Sequence, residues 1–193
     1  MKKLIFAGFA AALLVSPAYA ALQPGDVAPD FTAKGSLGGK DFTFNLRTAL
    51  KKGPVVVYFY PSAYTGGCDL EAHTFAEEKE KFDAAGASIV GVSADDLGRL
   101  KKFSADPAFC AGKFPIASDA DTSIAASYKL KVSKPRAGMH DVNQVVIDHA
   151  FIERVTYVIG QDGKILATLS SSNDGLSPDQ HVDKSLAIVS SLK

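Results

Sequence analysis

The chain has 193 residues with 21 basic and 21 acidic side chains, so its formal net charge is zero at pH 7. That balance excludes a global electrostatic pull toward nucleic acid or an anionic membrane, and no long charge run, low-complexity tract or repeat is present. Two cysteines are too few for a disulfide-dense scaffold, and the length suits one domain able to bury its own core.

In chain order, Lys2 and Lys3 precede an apolar stretch from Leu4 to Val15, followed by the small-x-small pattern Ala18-Tyr19-Ala20 of a signal-peptidase site. The apolar stretch falls short of the roughly 20 residues a spanning helix needs. Residues 1–20 are therefore expected to be a cleaved signal peptide, leaving residues 21–193 as a single exported domain. In a bacterium-like cell the destination is the periplasm, with no membrane association after cleavage. A retained anchor is the alternative. Losing Lys2 and Lys3 makes the mature chain slightly acidic, and export makes disulfide chemistry available.

Pro54–Tyr60 is a continuous β-branched and aromatic run, the signature of a strand buried on both faces. Asp69–Ala85 has helical composition and stops at Gly86. Ser88–Ser93 is a second strand, which completes a βαβ unit. Asp95–Ala105 and Asp121–Leu130 read as helices, with Phe114-Pro115-Ile116 as a short edge strand between them. Residues 131–152 are too long for a simple connection, and Val145-Val146-Ile147 is a candidate strand within them. Glu153–Ile159 and Ile165–Ser170 flank a Gly-Gln-Asp-Gly-Lys turn and form an expected antiparallel hairpin. Ser170–Gly175 is a polar loop. Ser177-Pro178-Asp179-Gln180 then starts a helix whose apolar face is Val182, Leu186, Val189 and Leu192. The order βαβ then ββα is an α/β, thioredoxin-like fold with an N-terminal extension and a central insertion.

Cys68 falls at the start of the helix after the central strand, where unpaired N–H groups and the helix dipole favour negative charge. A thiol so placed is expected to titrate below its ordinary range, and the thiolate is the nucleophile. Gly66 and Gly67 leave the backbone bare for a small substrate, Pro61 opens the loop, and Thr65 offers a hydroxyl. His73, His140, His149 and His181 show no ligand spacing, so all four are expected to be solvated or structural, with no metal and no cofactor.

Pro61-x-x-x-Thr65-x-x-Cys68 resembles the active-site motif of the peroxiredoxins. The likeness runs from Gly25-Asp26-Val27-Ala28-Pro29-Asp30-Phe31, like the family's opening, to Arg154–Ile159 followed by Asp162-Gly163-Lys164-Ile165. It implies that Cys68 attacks a hydroperoxide and becomes a sulfenic acid. Arg154, Thr65 and the Cys68 backbone N–H would serve the departing oxygen. It further implies that Pro61 shields the sulfur and that Glu71, in a C-x-x-E continuation, holds an arginine. Cys110 resembles the resolving cysteine of the bacterioferritin-comigratory, or Q-type, group, although the gap is longer than usual and His73 stands where a cysteine is commoner. Lying in an expected mobile loop, it would form an intramolecular disulfide, with local unwinding of the Cys68 helix and recycling by a thioredoxin-like reductant. A monomer or weak homodimer suits that scheme. A buried structural Cys110 and a permanent structural disulfide stay open. Disulfide exchange on the same fold and metal carriage are the rival functions; the absence of Cys-x-x-Cys speaks against the first, and of a nearby cysteine pair against the second.

Overall fold

A computed structural model describes residues 21–135 and 137–192; the expected signal peptide lies outside them. The elements are β1 (Thr32–Leu37), β2 (Lys40–Asn45), α1 (Leu46–Leu50), β3 (Val55–Phe59), α2 (Gly66–Ala84), β4 (Ser88–Ser93), α3 (Leu97–Ala105), β5 (Ile116–Ser118), α4 (Ser123–Ser127), β6 (Val132–Ser133), β7 (Phe151–Ile152), β8 (Val155–Ile159), β9 (Ile165–Ser170), α5 (Ser171–Asp174) and α6 (Pro178–Ser190). Seven strands form one sheet in the order β2-β1-β5-β4-β3-β8-β9. β3 lies inside it, next and parallel to the middle strand β4 and antiparallel to β8. The expected βαβ and ββα halves are present.

The alternation of β3 builds two cores. Val55, Val57 and Phe59 point to a layer with Phe31, Phe44, Tyr128 and Tyr157. Val56 and Tyr58, continued by Tyr60, point to the layer holding Cys68, Phe75, Phe82, Phe103, Cys110 and Val182. Every β3 residue is fully buried, which contributes about 1.5–3 kcal/mol for each large apolar side chain. Gly91 is required beside this strand, because a Cβ there would sit 2.5 Å from the Tyr58 ring.

Several boundaries move. The edge strand expected at Phe114–Ile116 is β5, shifted to Ile116–Ser118 and placed inside the sheet, because the N-terminal hairpin β1-β2 pairs along its free side. The Asp121–Leu130 helix shrinks to α4, and the polar loop after Ser170 contains the short helix α5. Val145-Val146-Ile147 makes only one isolated bridge, His140 to Val146, with Val145 and Val146 exposed. Leu192 falls beyond α6 and is half exposed. At the start of α6 the Ser177 N–H donates to Gln180 Oε1 at 3.0 Å and Pro178 occupies the first helical position, as expected. Among the described residues, no helix is long and apolar enough to cross a membrane.

Candidate active site

β3 delivers the chain to Pro61 at the head of the loop, and the Tyr60 N–H still donates to the Val92 carbonyl at 3.1 Å. Tyr64 then takes a left-handed conformation (φ 57°), which reverses the chain into Thr65, the N-cap of α2. Thr65 Oγ1 donates to the Ser62 carbonyl at 2.7 Å and also acts on the Cys68 sulfur. Cys68 lies in the first turn of α2 and is 2 % exposed. Its N–H, expected to be a free donor for the reacting oxygen, donates instead to the Thr65 carbonyl at 2.8 Å, because the helix already begins at Gly66 with a tight turn. Gly66 is open as expected, whereas the space beside Gly67 belongs to Arg154 Nη2 and Pro178 Cγ, each 3.3 Å from where a Cβ would stand.

Arg154 precedes β8 and reaches across to α2. Its Nη2 donates to Cys68 Sγ at 3.1 Å, and its Nη1 pairs with Glu71 Oε2. The arginine side chain is 10 % exposed and the glutamate not at all. The structure thus brings Arg154, Glu71 and Cys68 together. The expected lowering of the Cys68 pKa is corrected here. Burial pushes the thiol up, and Arg154, the Thr65 hydroxyl and the Ser62 backbone pull against it, while a charged Glu71 adds to the rise. The helix start alone left out the desolvation of a sulfur sealed from water.

Glu71 is itself raised to about 7 by burial, against the lowering by Arg154. For Arg154, burial lowers and its two acidic partners raise, and the partners win. One fixed cation therefore faces two acids, and both cannot ionise without leaving net negative charge in a buried site. Their protons come off as a coupled pair. A charged Glu71 therefore adds to the rise that burial imposes on Cys68.

Cys110 is fully buried, not in an exposed mobile loop. The Ala111 N–H donates to the Asp106 carbonyl and the Gly112 N–H to the Ser104 carbonyl, which ties down the turn around it. Phe109 stacks on Phe103 and meets Tyr64 edge-on at 5.6 Å. Burial and the nearby carboxylates of Asp106 and Asp69 push the Cys110 thiol far up, so it is a neutral thiol at rest. Both cysteines are free, and both belong to one apolar cluster.

Two buried polar networks were not foreseen. Asp95, expected inside a helix, precedes α3 and accepts from the Ala63 N–H at 2.9 Å and the Ser93 hydroxyl at 2.7 Å. It also pairs with Arg99 at 2.7 Å and His149 at 2.9 Å. Arg99 continues to Asp141 at 2.8 Å, and its Nη2 donates to the Ala63 carbonyl at 2.7 Å. The insertion is thereby clamped to the loop that leads into α2, with the Val142 N–H donating to the Tyr64 carbonyl at 3.0 Å. His149 Nδ1–H donates to the Ala150 carbonyl at 2.8 Å while Nε2 faces Asp95. Burial pulls this imidazole down, but the Asp95 hydrogen bond and charge outweigh it and raise the pKa. The second network joins Thr156, His181 and Ser171 behind Glu71. His73, half-exposed, pairs with Glu77, and His140 is exposed. Among the described residues, no cluster of three or more His, Cys, Asp or Glu has the arrangement of a metal site.

A model of the AhpC/TSA family matches residues 24–168. The chain belongs to that family. A protein of Mycobacterium tuberculosis that carries the name peroxiredoxin is 33% identical over 172 residues, spanning 89% of this chain and 99% of its own. Chloroplastic peroxiredoxin Q of Gentiana triflora is 29% identical, over 90% of this chain and 69% of its own. The crystal structure of the peroxidoxin BcpB of Mycobacterium tuberculosis superposes with a TM-score of 0.72 at 31% identity, covering 89% of this chain and 99% of that one. The bacterioferritin comigratory protein of Xanthomonas campestris gives 0.63 at 30% identity, covering 82% and 90%. This peroxiredoxin sits with the Q-type group, has the thioredoxin-like architecture, and is a peroxidase oxidoreductase.

Proposed function

We propose that Cys68 is the sulfur that reduces hydrogen peroxide or an organic hydroperoxide, and that Cys110 resolves the product. The Cys68 thiolate attacks one peroxide oxygen, an S–O bond forms, the O–O bond breaks, and the leaving oxygen takes up the proton the thiol had released. Arg154 is the fixed cation beside the sulfur, and Thr65 supplies a hydroxyl that swings between the Ser62 carbonyl and the reacting atoms. The observation that carries this reading is the 3.1 Å contact between Arg154 Nη2 and Cys68 Sγ at the first turn of α2. Pro61, half-buried at the loop's start, limits water beside the sulfur.

The Cys110 thiol then attacks the sulfenic sulfur, water leaves, and a disulfide forms that a thioredoxin-like dithiol reduces. Bridged Cα atoms must lie within about 7 Å, and with both sulfurs buried local unwinding of the first turn of α2 accompanies this step. Residues 1–20 would direct the chain to the periplasm. The burial of Cys110 favours a second reading, in which it is a structural thiol and an external thiol recycles Cys68. Peptide mapping after one equivalent of hydrogen peroxide separates the two. A species lacking two hydrogens and joining the Cys68 and Cys110 peptides is expected, together with faster hydrogen exchange in residues 61–75. Recovery of Cys68 sulfenic acid alone would assign Cys110 to the core.

A further inference from the structure

Tyr64 lies between the segments that carry the two cysteines. Its backbone belongs to the turn into α2: Thr65 follows as the N-cap, and the Thr65 carbonyl accepts from the N–H groups of Cys68 and Asp69 at 2.8 and 2.9 Å. Its ring meets Phe103 of α3 edge-on at 5.1 Å and Phe109, the neighbour of Cys110, edge-on at 5.6 Å. Phe103 and Phe109 are themselves stacked at 5.1 Å. Three rings thus join the entrance of α2 to the turn around Cys110. The Arg99 guanidinium lies 5.4 Å over the Tyr64 ring, and the Val142 N–H donates to the Tyr64 carbonyl.

Both segments are held in a conformation they would leave if released. Tyr64 has φ 57°, and Ala111, one residue after Cys110, has φ 51°. A left-handed backbone crowds the Cβ of an L-residue, and such a residue persists only where its surroundings fix it. The disulfide step unwinds the first turn of α2 and so breaks the two bonds to the Thr65 carbonyl. Tyr64 is then free to return to negative φ, a rotation of roughly 120° that carries its ring off Phe103 and Phe109. The Cys110 segment does not drift away as this happens. The Ala108 carbonyl accepts from His73 Nδ1 at 3.1 Å, and Lys113 Nζ donates to the Ala76 carbonyl at 2.9 Å. His73 and Ala76 lie in α2 beyond its first turn. These two contacts keep the segment on the helix while its Tyr64 end opens.

We infer that Tyr64 is a positioning residue for the resolving step: its ring couples the first turn of α2 to the turn that carries Cys110, so that the two segments open as one event. The inference rests on Cys110 being the resolving thiol. It gives a reason for an aromatic residue in a left-handed conformation between Pro61 and Thr65.

The test labels Cys110 with iodoacetamide in reduced Cys68→Ser protein. It needs neither peroxide nor a disulfide, so its failure is distinct from a failure of the resolving role in peptide mapping. Cys110 is fully buried and reacts only when its turn opens. Tyr64→Leu should speed labelling about tenfold, the scale of losing two aromatic contacts, and Tyr64→Phe should leave it unchanged. Phe109→Leu breaks the same contact from the other side and should match Tyr64→Leu; it carries the test if Tyr64→Leu does not fold. Thr65→Gly removes the hydroxyl bond to the Ser62 carbonyl and loosens the entrance to α2. It should speed labelling severalfold in the Tyr64 protein and add nothing in either leucine variant. A residue that only stabilised the fold would give additive effects instead. Labelling unmoved by Tyr64→Leu and Phe109→Leu, or a Thr65→Gly effect of equal size with and without the ring contact, would overturn the inference.

Discussion

His181 offers a quantitative handle on the fold itself. Its imidazole is fully buried, and burial with the Arg154 charge brings it from 6.5 to about 4. The folded protein therefore binds this proton less readily than the unfolded chain, and the stability it contributes is present above pH 6.5 and lost as pH falls toward 4. At 1.36 kcal/mol per unit the full difference is on the order of 3 kcal/mol, of which about 2.5 kcal/mol is gone at pH 4.5. No screening discount applies to a group without solvent exposure. Glu71 and Asp69, raised by burial to about 7 and about 6, titrate in the same range with the opposite sign. The measurement is therefore a difference between His181 and His181→Gln proteins, both in a Glu71→Gln background that removes one of the carboxyls titrating in the same range. Urea unfolding followed by circular dichroism at pH 7.5, 6 and 4.5 gives the free energies. The histidine protein should lose its advantage over the glutamine variant progressively as pH falls. Parallel pH dependences in the two proteins would refute the reasoning.

Three further outcomes follow from the geometry. Arg154→Gln removes the guanidinium that gives Cys68 a full opposing charge, and the single-turnover rate with hydrogen peroxide should fall about 10²–10³-fold, the scale of losing one electrostatic donor. Gly67→Ala places a methyl 3.3 Å from Arg154 Nη2 and Pro178 Cγ; it should lower the same rate severalfold with little change in urea midpoint, and an unchanged rate would show that the guanidinium has room to move. Asp95→Ala strips a buried acceptor from Arg99, His149 and the Ala63 N–H together, and should cost roughly 3–5 kcal/mol in unfolding free energy.

What the sequence made legible is what short-range chemistry controls. The β3 run, the strand-to-helix turn and the spacing Pro61, Thr65, Cys68 are local patterns, and Arg154 and Glu71 came with the family motif. What stayed hidden depends on distant pairings. β5 lies inside the sheet because a hairpin more than seventy residues earlier pairs with it, and nothing within Phe114–Ile116 carries that fact. Cys110 sits in a segment that reads as a mobile loop, yet it joins the buried cluster that also holds Tyr64 and Phe103, residues that come from other parts of the chain. The Cys68 pKa was misjudged for the same reason, since burial is a property of the assembled layers. His149 and His181 carried one signal that could have been followed: histidines beside Asp148 and after a capping box fit structural roles, but their partners Asp95 and Thr156 are fixed only by the fold.

Stopped-flow mixing of the fully reduced protein with micromolar hydrogen peroxide tests the central claim most directly. Peroxide should disappear in a fast phase with one equivalent consumed per protein, and Cys68→Ser should show none of it while keeping the wild-type fold. Equal consumption by Cys68→Ser, or an intact Cys68 thiol after peroxide exposure, would contradict the account.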